Sequence, residues 1–258
     1  MKYAIIAAGE GSRLAQEGIT SPKPLVEVNG ERLIDRLLRV FMANGASEVV
    51  VICNEQMTAV RNHLETISQR GDIPLKFIVK STPSSMHSMW ELSRWLDNEP
   101  FVLTTVDTIF REEEFAAYVE AFQRLITSGE ADGLMGVTDY IDDEKPLFVS
   151  TDDDLRITGF LDACDAPKYI SGGIYGLTPQ SITTLRGCIE RGESRMRNFQ
   201  RALVADGLRL KAYPFSKVLD IDHASDIQKA EGFLRGERDE NIVDSAGREV
   251  LAKLGRER

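Results

Sequence analysis

The chain has 258 residues, 42% hydrophobic and 28% charged, an ordinary balance for a soluble globular protein and ample for one large α/β domain or two small ones. Its net charge of -10, with no basic tract, excludes nucleic-acid binding through a broad positive face, so an anionic substrate must be met by a few locally concentrated cations. No stretch approaches a membrane span, the apolar run 3–8 is too short for an export-signal core, and Cys53, Cys164 and Cys188 lack metal-type spacing; the expectation is a cytoplasmic protein with reduced thiols and no membrane partner.

In chain order, "KYAIIAA" at 2–8 is a near-continuous apolar run, as in a strand covered on both faces. The spacing of Leu33, Leu37, Leu38 and Phe41 predicts a helix that Gly45 stops. "SEVVVIC" reads as a second buried strand with Cys53 at its end, "MTAVRNHLETI" as an amphipathic helix and "LKFIVK" as a third strand. "SSMHSMWELSRWL" opens with serines able to cap a helix, its Met86, Met89 and Trp90 are core candidates, and "FVLTTVD" is a fourth strand ending in Asp107. Strands alternating with helices predict an α/β fold, a mostly parallel, Rossmann-like sheet flanked by helices.

From residue 133 the rhythm changes to short strand candidates, "GLMGVT", "PLFVST", "RITGFL" and "YISGGIYGL", separated by acidic or Gly/Pro turns. Residues 133–180 are therefore expected to form a smaller strand-rich insertion over the carboxyl edge of the sheet, within a single domain spanning 1–236. Two helices near 181–192 and 196–207, late strands at "RLKAYPF" and "VLDID", and a helix from Ala224 complete it. The polar segment 237–258 is expected to be a tail of helical character.

The chemistry begins at "AAGEGSRL", residues 7–14. A dinucleotide-binding loop would read G-x-G-x-x-G, but its third glycine position holds Leu14, and no convincing acidic ribose contact follows the second strand, which counts against a dehydrogenase. Ala8 and Gly9 end the first strand, and Gly11 permits close approach of backbone to ligand. Backbone N–H groups in such a turn, Ser12 included, form a nest for phosphate oxygens, and Arg13 adds a positive fork suited to phosphate. Lys23 stands between Pro22 and Pro24, whose rings restrict the backbone and can aim it at the loop.

"AAGEGSRL" followed by "SPKPLVEVNGERLIDRLL" resembles the signature of the nucleotidyltransferases that make nucleotide-sugars from nucleoside triphosphates and sugar 1-phosphates. The resemblance extends to about residue 234. It implies a GT-A-like fold and a Mg²⁺-dependent transfer of a nucleotidyl group to a phosphorylated small-molecule acceptor. Ala8, Gly9, Gly11 and Ser12 would hold the triphosphate, with Arg13 on the departing pyrophosphate and Lys23 at the reacting phosphate. Asp107 would be one metal ligand. The late "VLDIDHASD" resembles the family's ID-x-x-x-D segment, which makes Asp222 the second ligand, Asp220 the alternative and Asp226 a helix-start residue. The region of Ser84, Ser85 and Ser88 would hold base and ribose; the reaction requires no catalytic role for His87. "YISGGIYGL" resembles the family's GIY strand, which points to Gly173, then Gly172, for the acceptor, with Lys168 and Lys217 as candidates for its phosphate. Two rivals stay open: a cytidylyltransferase acting on phosphocholine or another phosphorylated alcohol, and a nucleotide-binding regulatory module without catalysis. Base, acceptor and oligomeric state are not fixed by these motifs.

Overall fold

The computed structural model describes residues 1–142 and 144–236; the expected tail, 237–258, lies outside the described residues. The elements run β1 (Lys2–Ala7), α1 (Ser12–Gln16), a 3-10 turn (Lys23–Leu25), β2 (Glu27–Val28), β3 (Glu31–Arg32), α2 (Leu33–Ala43), β4 (Glu48–Cys53), α3 (Thr58–Arg70) and β5 (Leu75–Val79). There follow α4 (Ser85–Leu92), β6 (Phe101–Thr105), β7 (Thr108–Ile109), α5 (Glu112–Ser128), β8 (Gly133–Thr138), β9 (Phe148–Thr151), β10 (Ile157–Leu161) and β11 (Tyr169–Leu177). The chain continues through α6 (Ser181–Glu190), α7 (Met196–Ala205), β12 (Leu210–Phe215), β13 (Leu219–Asp220) and α8 (Ala224–Arg235).

β1 lies at the heart of a nine-stranded sheet, paired in parallel with β4 on one side and β6 on the other, and β5 extends the parallel ladder beyond β4. The continuous apolar sequence of β1 follows from this position. Tyr3, Ile5 and Ala7 enter one hydrophobic layer with Leu33, Leu37 and Phe41 of α2 and Phe115 of α5. Ala4 and Ile6 enter the opposite layer with Met86 and Met89 of α4 and Phe199 of α7. Alternation along a strand sends successive side chains to opposite faces, so a strand with both faces covered has no polar register.

Residues 133–180 differ from the expected insertion over the sheet. β8 and β11 belong to the central sheet: β11 pairs antiparallel with β6 and β8, and β8 carries β12 on its far side. The glycines in "YISGGIYGL" do not end the strand. They bend it at a bulge where the register shifts between Ser171 and Ile174, and Gly173 adopts φ +71°, a conformation that favours glycine. Only the antiparallel pair β9 and β10 forms the outer margin.

The three cysteines carry free thiols, with Cys53 fully buried at the end of β4 as the sequence suggested. Among the described residues, no helix is long and apolar enough to cross a membrane.

Candidate active site

The loop after β1 is shaped by Gly11. It adopts φ +61°, and a Cβ placed on it would lie 3.1 Å from Cβ of Lys23. Glycine is needed there for its backbone angle and because the lysine stem packs against it. Gly9 is different: a Cβ there would meet nothing within 4 Å, so its bare face opens onto free space. Pro22 leads into the 3-10 turn, Pro24 lies within it, and Lys23 between them is buried, 9% exposed.

The ammonium of Lys23 contacts the carboxylate of Asp107 and donates to Oδ1 of Asp222 at 2.8 Å. Arg13 Nη1 donates to the other oxygen of Asp222 at 3.1 Å. Asp107 follows β6 and Asp222 follows β13, and a two-residue antiparallel ladder between β7 and β13 brings them together. That ladder pairs Asp220 with Thr108, and Ile221 N–H donates to the Asp107 carbonyl at 3.3 Å. The helix α5 starts from Arg111, so Asp107 is not its cap.

Burial works against the charge on Lys23, but the two carboxylates outweigh it and the net displacement is upward. Burial alone would raise Asp222, the opposite of its effect on a lysine; hydrogen bonding from Lys23 and the charges of Lys23 and Arg13 carry it below its ordinary value. Asp226 accepts from the backbone N–H groups of Asp222 and His223 at 3.1 and 2.8 Å, closing a capping box at the start of α8. Its expected role at the helix start is therefore the one observed.

These side chains open into a cavity of about 470 Å³. Ala8, Gly9, Gly11, Ser12 and Arg13 line it from the loop, Ser84, Ser85 and Ser88 from α4, and Lys23, Asp107 and Asp222 from its floor. Ser84 occupies the N-cap position of α4 without a side-chain capping bond; its hydroxyl pairs with Nδ1 of His87 at 2.9 Å. Ser88 is turned to Thr82, hydroxyl to hydroxyl at 2.6 Å. A second cavity of about 270 Å³ shares Arg13 and Asp222 with the first. Tyr140, Asp142, Glu144, Ser171, Gly172, Asp220 and Lys229 are among its lining.

The profile of the Nucleotidyl transferase family matches residues 2–236. The chain belongs to that family. A CMP-5'-(3-aminopropyl)phosphonate synthase of Streptomyces rubellomurinus is 26% identical over 162 residues, 56% of this chain and 25% of that protein. A mannose-1-phosphate guanyltransferase of Hypocrea jecorina is 28% identical over 112 residues, 42% of this chain and 31% of that protein. The matched stretches thus span about a quarter to a third of these relatives. A solved inositol-1-phosphate CTP transferase from T. maritima superposes with TM-score 0.70 at 20% identity, covering 92% of this chain and 98% of that one. A CTP:phosphocholine cytidylyltransferase from Streptococcus pneumoniae gives 0.71 at 17%, covering 90% and 98%. These likenesses show the GT-A-like nucleotidyltransferase fold.

In this chain the four residues expected to meet the acceptor separate. Gly172 lines the second cavity, whereas Gly173 forms the bulge beside it, where a Cβ would come 3.3 Å from the Thr108 hydroxyl. Lys168 lines neither cavity; its ammonium lies 5.1 Å from the Tyr169 ring centroid. Lys217 is buried, with its ammonium 4.0 Å from the centroid of Tyr140, so it backs a ring of the cavity wall rather than lining the cavity. Asp220 reaches the second cavity but not the first.

Sequence reasoning passed over Asn54, which follows β4. It is buried, donates to the Ala8 carbonyl at 3.3 Å and accepts from Gln56 N–H and the Ser81 hydroxyl, each at 2.9 Å. It thereby ties the loop after β1 to the approach to α4. Its position directly behind a buried parallel strand was the available signal, since ligands in such sheets bind at strand carboxyl ends.

Proposed function

We propose that the chain transfers a nucleoside monophosphate from a nucleoside triphosphate to a sugar 1-phosphate and releases pyrophosphate. The observation that carries this reading is the meeting of Arg13, Lys23, Asp107 and Asp222 at the boundary of two adjoining cavities. The larger cavity takes the triphosphate and the smaller the acceptor, so that the reacting groups meet beside Lys23 and Asp222. An acceptor phosphate oxygen attacks the α-phosphorus and the bond to the pyrophosphate oxygen breaks. An acceptor phosphate largely dianionic at neutral pH, with its second pKa near ~6, needs no protein base, which agrees with His87 being engaged by Ser84.

Alignment and charge stabilisation are then the protein's work. Arg13 holds the departing pyrophosphate, and Lys23 meets the charge that grows on the α-phosphate. Asp107 and Asp222 suit Mg²⁺, which takes one or two carboxylates and completes its shell with phosphate oxygens and water. No group of three or more His, Cys, Asp or Glu among the described residues offers the alternative of a full protein cage. Held by those two carboxylates, the ion would supply Lewis-acid stabilisation of phosphate oxygens. Residues 1–236 act as one catalytic unit in this reading, in the cytoplasm.

A second reading, cytidylyl transfer to phosphocholine or another phosphorylated alcohol, draws on the wall of the smaller cavity. Asp142, Glu144, Asp220 and Asp226 there outnumber the cations Arg13 and Lys229, a setting suited to an acceptor that carries a cation. Pyrophosphate release from each of the four triphosphates, against sugar 1-phosphates and phosphocholine, separates the two. The expected result is turnover with one sugar 1-phosphate, abolished by EDTA and restored by Mg²⁺. Turnover confined to phosphocholine selects the second reading, metal-independent turnover removes the two-aspartate site, and triphosphate binding without turnover across the panel leaves a regulatory module.

A further inference from the structure

Outside both cavities, three arginines surround a surface hollow of about 440 Å³ lined by Asp162, Ser194, Arg195, Arg197, Asn198 and Arg201. Asp162 lies just beyond β10, and the arginines lie at the start of α7 and along it. One carboxylate fixes two of them: Arg197 Nη1 is 2.6 Å from Asp162 Oδ1, and Arg201 Nη2 is 2.7 Å from Oδ2. Both are braced further, Arg197 by the Lys145 carbonyl at 3.0 Å and Arg201 by the Phe160 carbonyl at 3.1 Å. The guanidinium of Arg195 has no hydrogen bond or ion pair among the described residues. Three guanidinium groups against one carboxylate leave a local positive surplus on a chain whose net charge is -10. Such a surplus concentrates anions.

The backbone of Arg195 accounts for where it stands. Its φ of 72° and ψ of 140° lie in a region that glycine adopts readily and other residues rarely do. A non-glycine residue keeps such a conformation only where its surroundings hold it there. Here the conformation stands Arg195 at the rim of the hollow and directs its backbone N–H to the Ser84 hydroxyl at 3.3 Å. Ser84 belongs to the wall of the larger cavity, so the two sites are joined by one hydrogen bond.

We propose that Arg195, Arg197 and Arg201 form a binding site for a compact oxyanion, a phosphate or carboxylate group. Arg195 supplies the free donors, and Arg197 and Arg201, held by Asp162, supply a fixed positive wall. The oxyanion is either a second anionic group on the acceptor or a separate effector.

Inorganic phosphate is the probe, titrated into the full chain while the arginine Nε–Hε resonances are followed by NMR. Two sets of shifts are expected, one including Arg13 and one including Arg195 and Arg201. Arg195→Gly fits the backbone angle and should melt no lower than the parent. It and Arg201→Gln should each weaken the second set of shifts by ~10-fold, because a charge-assisted donor is lost. Lys23→Gln should affect the first set alone. Shifts confined to Arg13, or an Arg195→Gly chain that titrates like the parent, would overturn the site. Steady-state kinetics separates the sources. Phosphate competition with the acceptor, with a raised acceptor KM in Arg195→Gly, identifies a group on the acceptor; altered turnover without competition identifies an effector. A chain inactive in every transfer assay that still binds phosphate through Arg195 keeps this site and sinks only the proposed reaction.

Discussion

Lys23 holds two carboxylates that belong to distant parts of the chain, and its ammonium is nearly shut off from water. Lys23→Ala should lower kcat by ~100- to 1000-fold, the usual consequence of removing one preorganised charge contact, while circular dichroism stays that of the parent. Near-normal turnover would remove Lys23 from the mechanism. Asp107→Asn and Asp222→Asn share that partner and, in the proposed reaction, one ion, so the double variant should lose much less than the product of the single losses. Multiplying losses would separate the two residues. Lys23 can be singled out in the sequence because prolines fence it on both sides and Arg13 precedes it. Asn54 stands out less, because asparagine after a strand is ordinary turn chemistry, and only the fold reveals its bonds to two other loops, at Ala8 and Ser81. Lys217 shows what charge alone leaves open: its ammonium lies over the Tyr140 ring, a contact that no motif announces.

Between elements, the decisive contacts are short. The ladder of β7 and β13 is two residues on each side, yet it sets Asp107 beside Asp222. A strand of that length shows no period, so its pairing could not be read from the amino acids. β1, β4 and β6, long and apolar, were legible for the converse reason, and β11 was legible as one strand, although its bulge between Ser171 and Ile174 shows only in the pairing. A second clasp joins α1 to α8: Glu17 accepts from the backbone N–H of Ala224 at 2.6 Å, and its other oxygen lies 2.6 Å from His223 Nδ1. It couples the helix that carries Arg13 to the residue after Asp222. Glu17→Ala should raise the Mg²⁺ concentration required for half-maximal activity, and Glu17→Gln, which can still accept from Ala224, should restore part of the loss. Identical metal requirements in parent and Glu17→Ala would show that the clasp does not position Asp222.

Across the whole molecule, ion pairs fasten layers that the hydrophobic core leaves open at the edges. Arg39 reaches Glu31 at β3 and Glu112 at the start of α5, and Arg209 grips Asp132 between β12 and β8. Hydrogen bonding to Arg39 holds Glu112 below its ordinary value of 4.5, and Arg209 holds Asp132 below 3.8. A carboxylate with a depressed folded pKa contributes stability that is complete above its unfolded pKa and disappears as pH falls through the folded one. The melting temperature should therefore be nearly level from about pH 7 to about pH 5 and decline below about pH 4. A level profile down to about pH 3 would mean that these pairs contribute nothing. Arg13 and Asp222 belong to both cavities, so the two compartments have that stretch of wall in common. Whatever neutralises that wall from one side alters the electrostatic field felt from the other. In the proposed reaction, thermodynamic reciprocity then requires that the nucleotide change the dissociation constant of the acceptor by the same factor as the acceptor changes that of the nucleotide.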